Sequence, residues 1–174
     1  MSTYTGILRT PDSAFINLLD YPFEPNYINL SNPGCIGNGE TKLRLHYLDE
    51  GSKNSRETIL LLHGEPSWSY LYRHFIPLLK EYRIIAMDLI GFGKSDKPMN
   101  KVDYTYQRHG NWIKEALEYL NLNDITLFCQ CVLYDWIDVL DLFDSILEEA
   151  CIQSGTWMLN CDKLENEEVC FNRL

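Results

Sequence analysis

Three short, largely apolar runs limit what this chain can fold into: Thr58-Ile59-Leu60-Leu61-Leu62, Arg83-Ile84-Ile85-Ala86-Met87 and Ile125-Thr126-Leu127-Phe128-Cys129. Short runs of this kind, bounded by turn residues, are strands buried on both faces. Helical patterns separate them. Trp68 to Tyr82 has helical spacing, with Pro77 expected as a kink or local break. Tyr104 to Leu120 places Trp112, Ala116, Leu117 and Leu120 on one face. Leu133 to Cys151 carries a further stripe, Leu133, Trp136, Leu140, Phe143 and Leu147. Buried strands alternating with helices predict an α/β class, a mostly parallel sheet with helices on both faces. Chemistry in such sheets gathers at the carboxyl ends of the strands. Here those ends are His63-Gly64-Glu65, Asp88-Leu89-Ile90-Gly91, and whatever follows Cys129-Gln130.

Elsewhere the signals are weaker. Residues 1–40 are rich in Pro, Asn and Gly and read as an irregular amino-terminal arm. Leu43 to Leu48 alternates and reads as a strand ended by Asp49-Glu50-Gly51. Asp88 to Pro98 reads as a loop tightened by Gly91 and Gly93. Residues 41–130 form the core segment. Residues 131–174 differ in kind, holding ten acids against only Lys163 and Arg173, within a chain of net charge −10. They read either as an acidic interaction tail or as a solvated helix with a loose end.

The charge disfavours nucleic acid and anionic membrane as partners. No apolar stretch reaches the roughly 18 residues of a membrane helix. The start reads as free of a secretory leader, so six cysteines suggest reduced thiols in the cytoplasm. Cys129 and Cys131 are too close for a zinc pair, and Gly91-Phe92-Gly93-Lys94-Ser95 lacks phosphate-loop spacing. Neither a metal nor a cofactor is expected.

Three segments carry a more specific signal: Leu62-His63-Gly64-Glu65-Pro66-Ser67-Trp68-Ser69-Tyr70-Leu71-Tyr72-Arg73, Asp88 through Pro98, and Ile125 through Gln130. With Arg9-Thr10-Pro11-Asp12, Tyr21 to Tyr27 and His46 to Gly51, they resemble the amino-terminal part of haloalkane dehalogenases. The resemblance covers residues 7–130 and implies part of an α/β-hydrolase fold. It implies that an aspartate displaces halide from carbon as an alkyl ester, which water activated by a histidine then hydrolyses. It implies that the Glu65 N–H is one oxyanion or halide donor, and that His63 supports the loop rather than acting as base. The plainer reading of His63-Gly64-Glu65-Pro66 is an ordinary strand-to-helix turn. Trp68 reads equally as pocket lining or core.

The family places its nucleophile after the third strand as Gln-Asp-Trp-Gly-Gly. Here Cys131 follows Gln130, and the Asp-Trp pair comes four residues late, as Asp135-Trp136, followed by bulky Ile137. Asp135 is the candidate nucleophile and Trp136, which follows it, a candidate halide donor. A thiol nucleophile at Cys131, or an amphipathic helix with no catalytic role, competes with that assignment. The family's acid, catalytic histidine and cap domain come later in its chains. The histidines here, His46, His63, His74 and His109, all precede the nucleophile position.

The leading expectation is therefore a haloalkane dehalogenase-like hydrolase of small apolar halogenated substrates, inactive as this chain stands. A non-enzymatic truncated or spliced isoform with an acidic interaction tail is the first alternative, and an epoxide hydrolase-like enzyme the second. With Thr156 to Leu159 the only weak strand candidate beyond it, Ile125–Cys129 is expected at an open sheet edge. Such an edge invites self-association or a chaperone.

Overall fold

The computed structural model describes residues 6–31, 42–122, 125–130, 156–160 and 171–173. The strands are β1 (Ile7–Leu8), β2 (Asn26–Ser31), β3 (Lys42–Gly51), β4 (Thr58–Leu62), β5 (Arg83–Asp88), β6 (Lys97–Pro98), β7 (Ile125–Gln130), β8 (Thr156–Asn160) and β9 (Phe171–Arg173). One α-helix, α1 (Tyr106–Leu120), lies among the described residues.

The three apolar runs become β4, β5 and β7 because each is covered on both sides. Leu60, Leu61, Leu62, Ile84, Ile85, Ala86 and Met87 are all buried. Burying each large side chain stabilises the fold by roughly 1.5–3 kcal/mol. The sheet order is β2-β3-β5-β4-β7-β8-β9. Its centre, β5-β4-β7-β8, is parallel, and its flanks are antiparallel. The expected parallel sheet thus holds for the middle of the structure. One face packs Leu60, Leu62, Ile85, Met87 and Leu127 against Trp112, Ile113, Ala116 and Leu117 of α1. The other packs Leu61, Ile84 and Ala86 against Tyr72 and Ile76.

Helix α1 matches its sequence signal closely. The Thr105 hydroxyl accepts from the Arg108 N–H at its start, and Asn121 ends it in the left-handed conformation at φ 47°. Trp68 to Tyr82 departs from its signal. Two short 3-10 turns, Ser69–Tyr72 and Ile76–Leu79, replace the expected helix. The amides of Leu71, Phe75 and Leu78 bond three residues back. Pro77, near the start of the second turn, has no N–H with which to continue an α-helical ladder.

Neighbouring strands reveal what short-range patterns hid. Asp49-Glu50-Gly51 does not end β3; it pairs with Ile85, Ile84 and Arg83. The Arg83 guanidinium donates to both Asp49 carboxylate oxygens, at 3.1 and 3.0 Å. The arm is not irregular throughout, since Asn26–Ser31 joins the sheet beside β3 and buries Ile28 and Leu30. Asn26 and Asn29 are weak strand formers, and the long β3 supplies the partner they need. Lys97–Pro98, expected in a loop, pairs with Ile7–Leu8.

The largest correction concerns β7. It is not a sheet edge, because Thr126–Gln130 pairs in parallel with Thr156–Asn160, which in turn pairs with Phe171–Arg173. Its N–H and C=O groups therefore have a neighbour, and the route to self-association or chaperone capture through that edge is removed. The two strands also show that the acidic segment is not helical throughout. The helix expected over Leu133 to Cys151 lies outside the described residues.

Gly51 closes the amino-terminal end of the parallel strands at φ +73°. A Cβ there would stand 2.1 Å from the Tyr82 carbonyl oxygen, which accepts from the Ser52 N–H. Gly51→Ala is expected to destabilise the chain by about 1–3 kcal/mol, read as a lower urea midpoint. An unchanged midpoint would show that the turn relaxes freely.

Candidate active site

The parallel register brings three chain segments out at one level. Leu62 pairs with Met87 on one side and Cys129 on the other. His63-Gly64-Glu65, Asp88-Leu89 and Gln130 therefore leave the sheet together at its carboxyl edge. After β4 the chain turns sharply. The Ser67 N–H donates to the Gly64 carbonyl at 2.9 Å, the Glu65–Pro66 bond is cis, and Glu65 is exposed. Among the described residues, no acceptor is paired with the Glu65 N–H.

His63 is buried, and each ring nitrogen has a partner. The Leu89 N–H points at Nε2 at 3.0 Å, so that nitrogen carries no proton. Nδ1 then holds the hydrogen and donates to the Gly64 carbonyl at 3.1 Å. Burial lowers the His63 pKa against an opposing contribution from the Gly64 carbonyl. A neutral imidazole with both nitrogens engaged holds a loop and cannot accept a further proton without breaking the Leu89 contact. That matches the supporting role which the resemblance implies.

Asp88 organises the same edge. It is fully buried. Its Oδ2 accepts from His46 Nδ1 and from the Lys94 N–H, each at 2.8 Å, and its Oδ1 accepts from the Ser69 N–H at 2.8 Å. Burial works to raise its pKa, but the bonds from His46, Lys94 and Ser69 outweigh it and hold the carboxyl below the usual range. Gly93, at φ +46°, makes the close approach possible, since a Cβ there would meet Oδ2 at 2.2 Å. By sequence alone Asp88 opens a loop. The signal available was an acid closing a strand otherwise buried on both faces, a position that needs donors.

His46 is fully buried on β3 and serves Asp88. His109, in the first turns of α1, is pushed down to about 4 by burial, with a smaller contribution from His63. His74 is exposed between the two 3-10 turns. Trp68 packs in an aromatic cluster, with ring centroids 5.2 Å from Phe15, 5.2 Å from Tyr21 and 5.5 Å from Tyr70. Asp135, Trp136 and Cys131 lie outside the described residues. Among the described residues no three His, Cys, Asp or Glu side chains are grouped to hold a metal ion. None of the described helices is long and apolar enough to cross a membrane. A cleft of about 460 Å³, lined by Phe23, Glu50, Gly51, Ser52, Ile76, Pro77 and Lys80, opens at the opposite end of the sheet. It is remote from the carboxyl edge.

Residues 57–132 match the α/β hydrolase fold family model. A haloalkane dehalogenase from Psychrobacter cryohalolentis is 54% identical over 132 residues, which cover 75% of this chain and 40% of that protein. The tetrameric haloalkane dehalogenase from Paraglaciecola agarilytica superimposes with a TM-score of 0.72 at 36% identity, over 95% of this chain and 52% of that one. An epoxide hydrolase from Vigna radiata, at 22% identity and a TM-score of 0.53 over 77% of this chain and 38% of that one, shares the fold alone. The chain spans about 40% of the length of the curated relative from Psychrobacter. Over the segment it spans, the chain has the α/β-hydrolase fold and is similar in sequence and structure to haloalkane dehalogenases.

Proposed function

We propose that this chain carries part of a haloalkane dehalogenase-like site, acting on carbon–halogen bonds of small apolar substrates. The supporting observation is the Glu65 N–H, without an acceptor among the described residues, on a loop beside the carboxyl end of β7. An N–H fixed there stabilises the negative charge that develops on oxygen when the alkyl ester is hydrolysed, the oxyanion role that the resemblance implies. Asp135 is the proposed nucleophile: its carboxylate oxygen bonds to the carbon, and the carbon–halogen electron pair leaves as halide. Trp136, which follows it, is a proposed halide donor. The six cysteines support a reducing, cytoplasmic setting.

Ester hydrolysis needs a base, and three of the four histidines are ill suited to that role. His46 and His63 are committed to Asp88, Leu89 and Gly64. His109 accepts a proton only near pH 4. The polypeptide alone is therefore expected to release at most one halide per chain from 1,2-dibromoethane or 1-bromobutane. Mass spectrometry is expected to show at most one alkyl adduct, on the peptide holding Asp135. Sustained bromide release, lost on Asp135→Asn, would reveal a base elsewhere in the chain. Absence of both adduct and bromide binding would favour the second reading, a non-enzymatic chain using its acidic segment of ten acids and two bases for interaction.

A further inference from the structure

Two consecutive acids near the end of β3 sit on opposite faces of the sheet. Asp49 stands opposite Ile85, on the face covered by α1. There it meets the Arg83 guanidinium at 3.1 and 3.0 Å and the Lys53 ammonium at 2.6 Å. Glu50 stands opposite Ile84, on the face that packs Leu48, Leu61 and Ala86 against Tyr72 and Ile76. It is half-buried, and among the described residues no donor or cation pairs with its carboxylate. Instead it lines the cleft of about 460 Å³ at the amino end of the parallel strands, with Phe23, Ile76 and Pro77 as apolar walls and Lys80 beside them. That volume, and apolar walls with few polar groups, are those of a small-molecule site. We propose that the cleft binds a small organic cation, a protonated primary amine on an apolar body, with Glu50 as its charged partner and Phe23 as its aromatic wall.

The charge balance selects a cation. A half-buried carboxylate without a partner is costly to keep ionised, and a bound ammonium relieves that cost. Burial is the largest cause raising the Glu50 pKa; Lys53 opposes it, and Asp49 and Glu24 add to it. Lys53 is held by Asp49, and the exposed Lys80 makes no ion pair with Glu50. An anion in the cleft would face Glu50 with Asp49 and Glu24 near it, and a neutral ligand would leave the carboxylate unpaired. The face of a phenyl ring attracts an ammonium ion, so Phe23 favours the same class. The cleft lies at the opposite end of the sheet from Glu65 and Gln130. This site is therefore separate from the chemistry proposed for the carboxyl edge.

The test uses the full chain labelled with 15N and benzylamine as the probe. Titration is expected to shift the Gly51 and Ser52 amide resonances saturably, with a Kd on the order of 1 mM or tighter. Benzyl alcohol, which keeps the ring without the charge, and benzoate, which reverses the charge, are expected to bind about tenfold more weakly or worse. Glu50→Gln keeps the size and removes the charge. It is expected to weaken benzylamine about tenfold or more while the urea midpoint stays level or rises, because no partner is stranded. Glu24→Gln makes the same change in net charge outside the cleft and is expected to alter binding by less than about twofold. Three results overturn the proposal: benzylamine binding that survives Glu50→Gln, benzyl alcohol bound as tightly as benzylamine, or no saturable shift up to about 50 mM benzylamine. Equal weakening in Glu24→Gln also overturns it, since it would reveal only a general attraction to a negative chain. A urea midpoint that falls in Glu50→Gln overturns it too, by showing that the carboxylate already serves a partner within the fold.

Discussion

Replacing Asp88 with alanine is expected to cost about 3–5 kcal/mol, the range for stranding the partners of a buried charge. The carboxylate is fully buried, and its loss leaves His46 Nδ1 and the Ser69 and Lys94 amides without acceptors in a region closed to water. Each stranded donor carries a penalty of roughly 1–3 kcal/mol. The effects overlap, because the three groups share one cavity and relax together. His46 itself is unable to shed the cost by turning outward: it is walled by Tyr27, 5.5 Å away between ring centroids, and its Nε2 is already without a partner among the described residues. Urea melts of the two chains at neutral pH are the measurement. Asp88→Asn is expected to lose less, since one acceptor remains. A loss below about 1 kcal/mol for Asp88→Ala would mean that water replaces the carboxylate.

The reach of sequence reasoning here follows from how far each signal depends on distant partners. Thr58–Leu62 could be read to the residue because four consecutive apolar side chains after Thr58 have few alternatives to a strand buried on both faces. Helix α1 could be read because Trp112, Ala116, Leu117 and Leu120 set its apolar face within the chain itself. Asn26–Ser31 could not, since its polar residues become a strand only against residues 42–47 of β3. The same holds for Thr156–Asn160, which needs β7 beside it and was weighed only as a weak candidate. Trp68–Tyr82 misled in the opposite way: apolar spacing cannot distinguish an α-helix from two 3-10 turns broken by Pro77. At the site, the position of Glu65 was legible through motif resemblance. The Asp88 network was not, because hydrogen bonds from Ser69, Lys94 and His46 to one carboxylate join residues up to 42 apart.

Acidification from pH 6.5 to about 4.5 is expected to destabilise the chain, with His63 and His109 responsible. Burial lowers the pKa of both in the folded state, that of His109 to about 4. An unfolded histidine titrates near 6.5. Above that pH neither state binds the proton and the two residues contribute no pH dependence. Below it the unfolded chain gains protons that the folded chain refuses, so stability falls as pH falls. For His109 the loss levels off near its folded value. The slope is at most about 1.4 kcal/mol per pH unit for each histidine. Solvent contact at His109, which is only partly buried, makes its real share smaller. The carboxylates act elsewhere on the scale. Asp88 and Asp49 have lowered folded values, so their contributions are lost only below about pH 4. Glu50, raised by burial, opposes the histidines near the bottom of the window. His109→Gln is expected to remove one proton's worth of slope without disturbing the Leu89–His63–Gly64 contacts. Urea midpoints at pH 7, 6, 5 and 4.5 read the slope directly. Stability that stays flat across that window, or a slope that survives His109→Gln unchanged, would show that the folded chain opens enough to protonate these imidazoles in place.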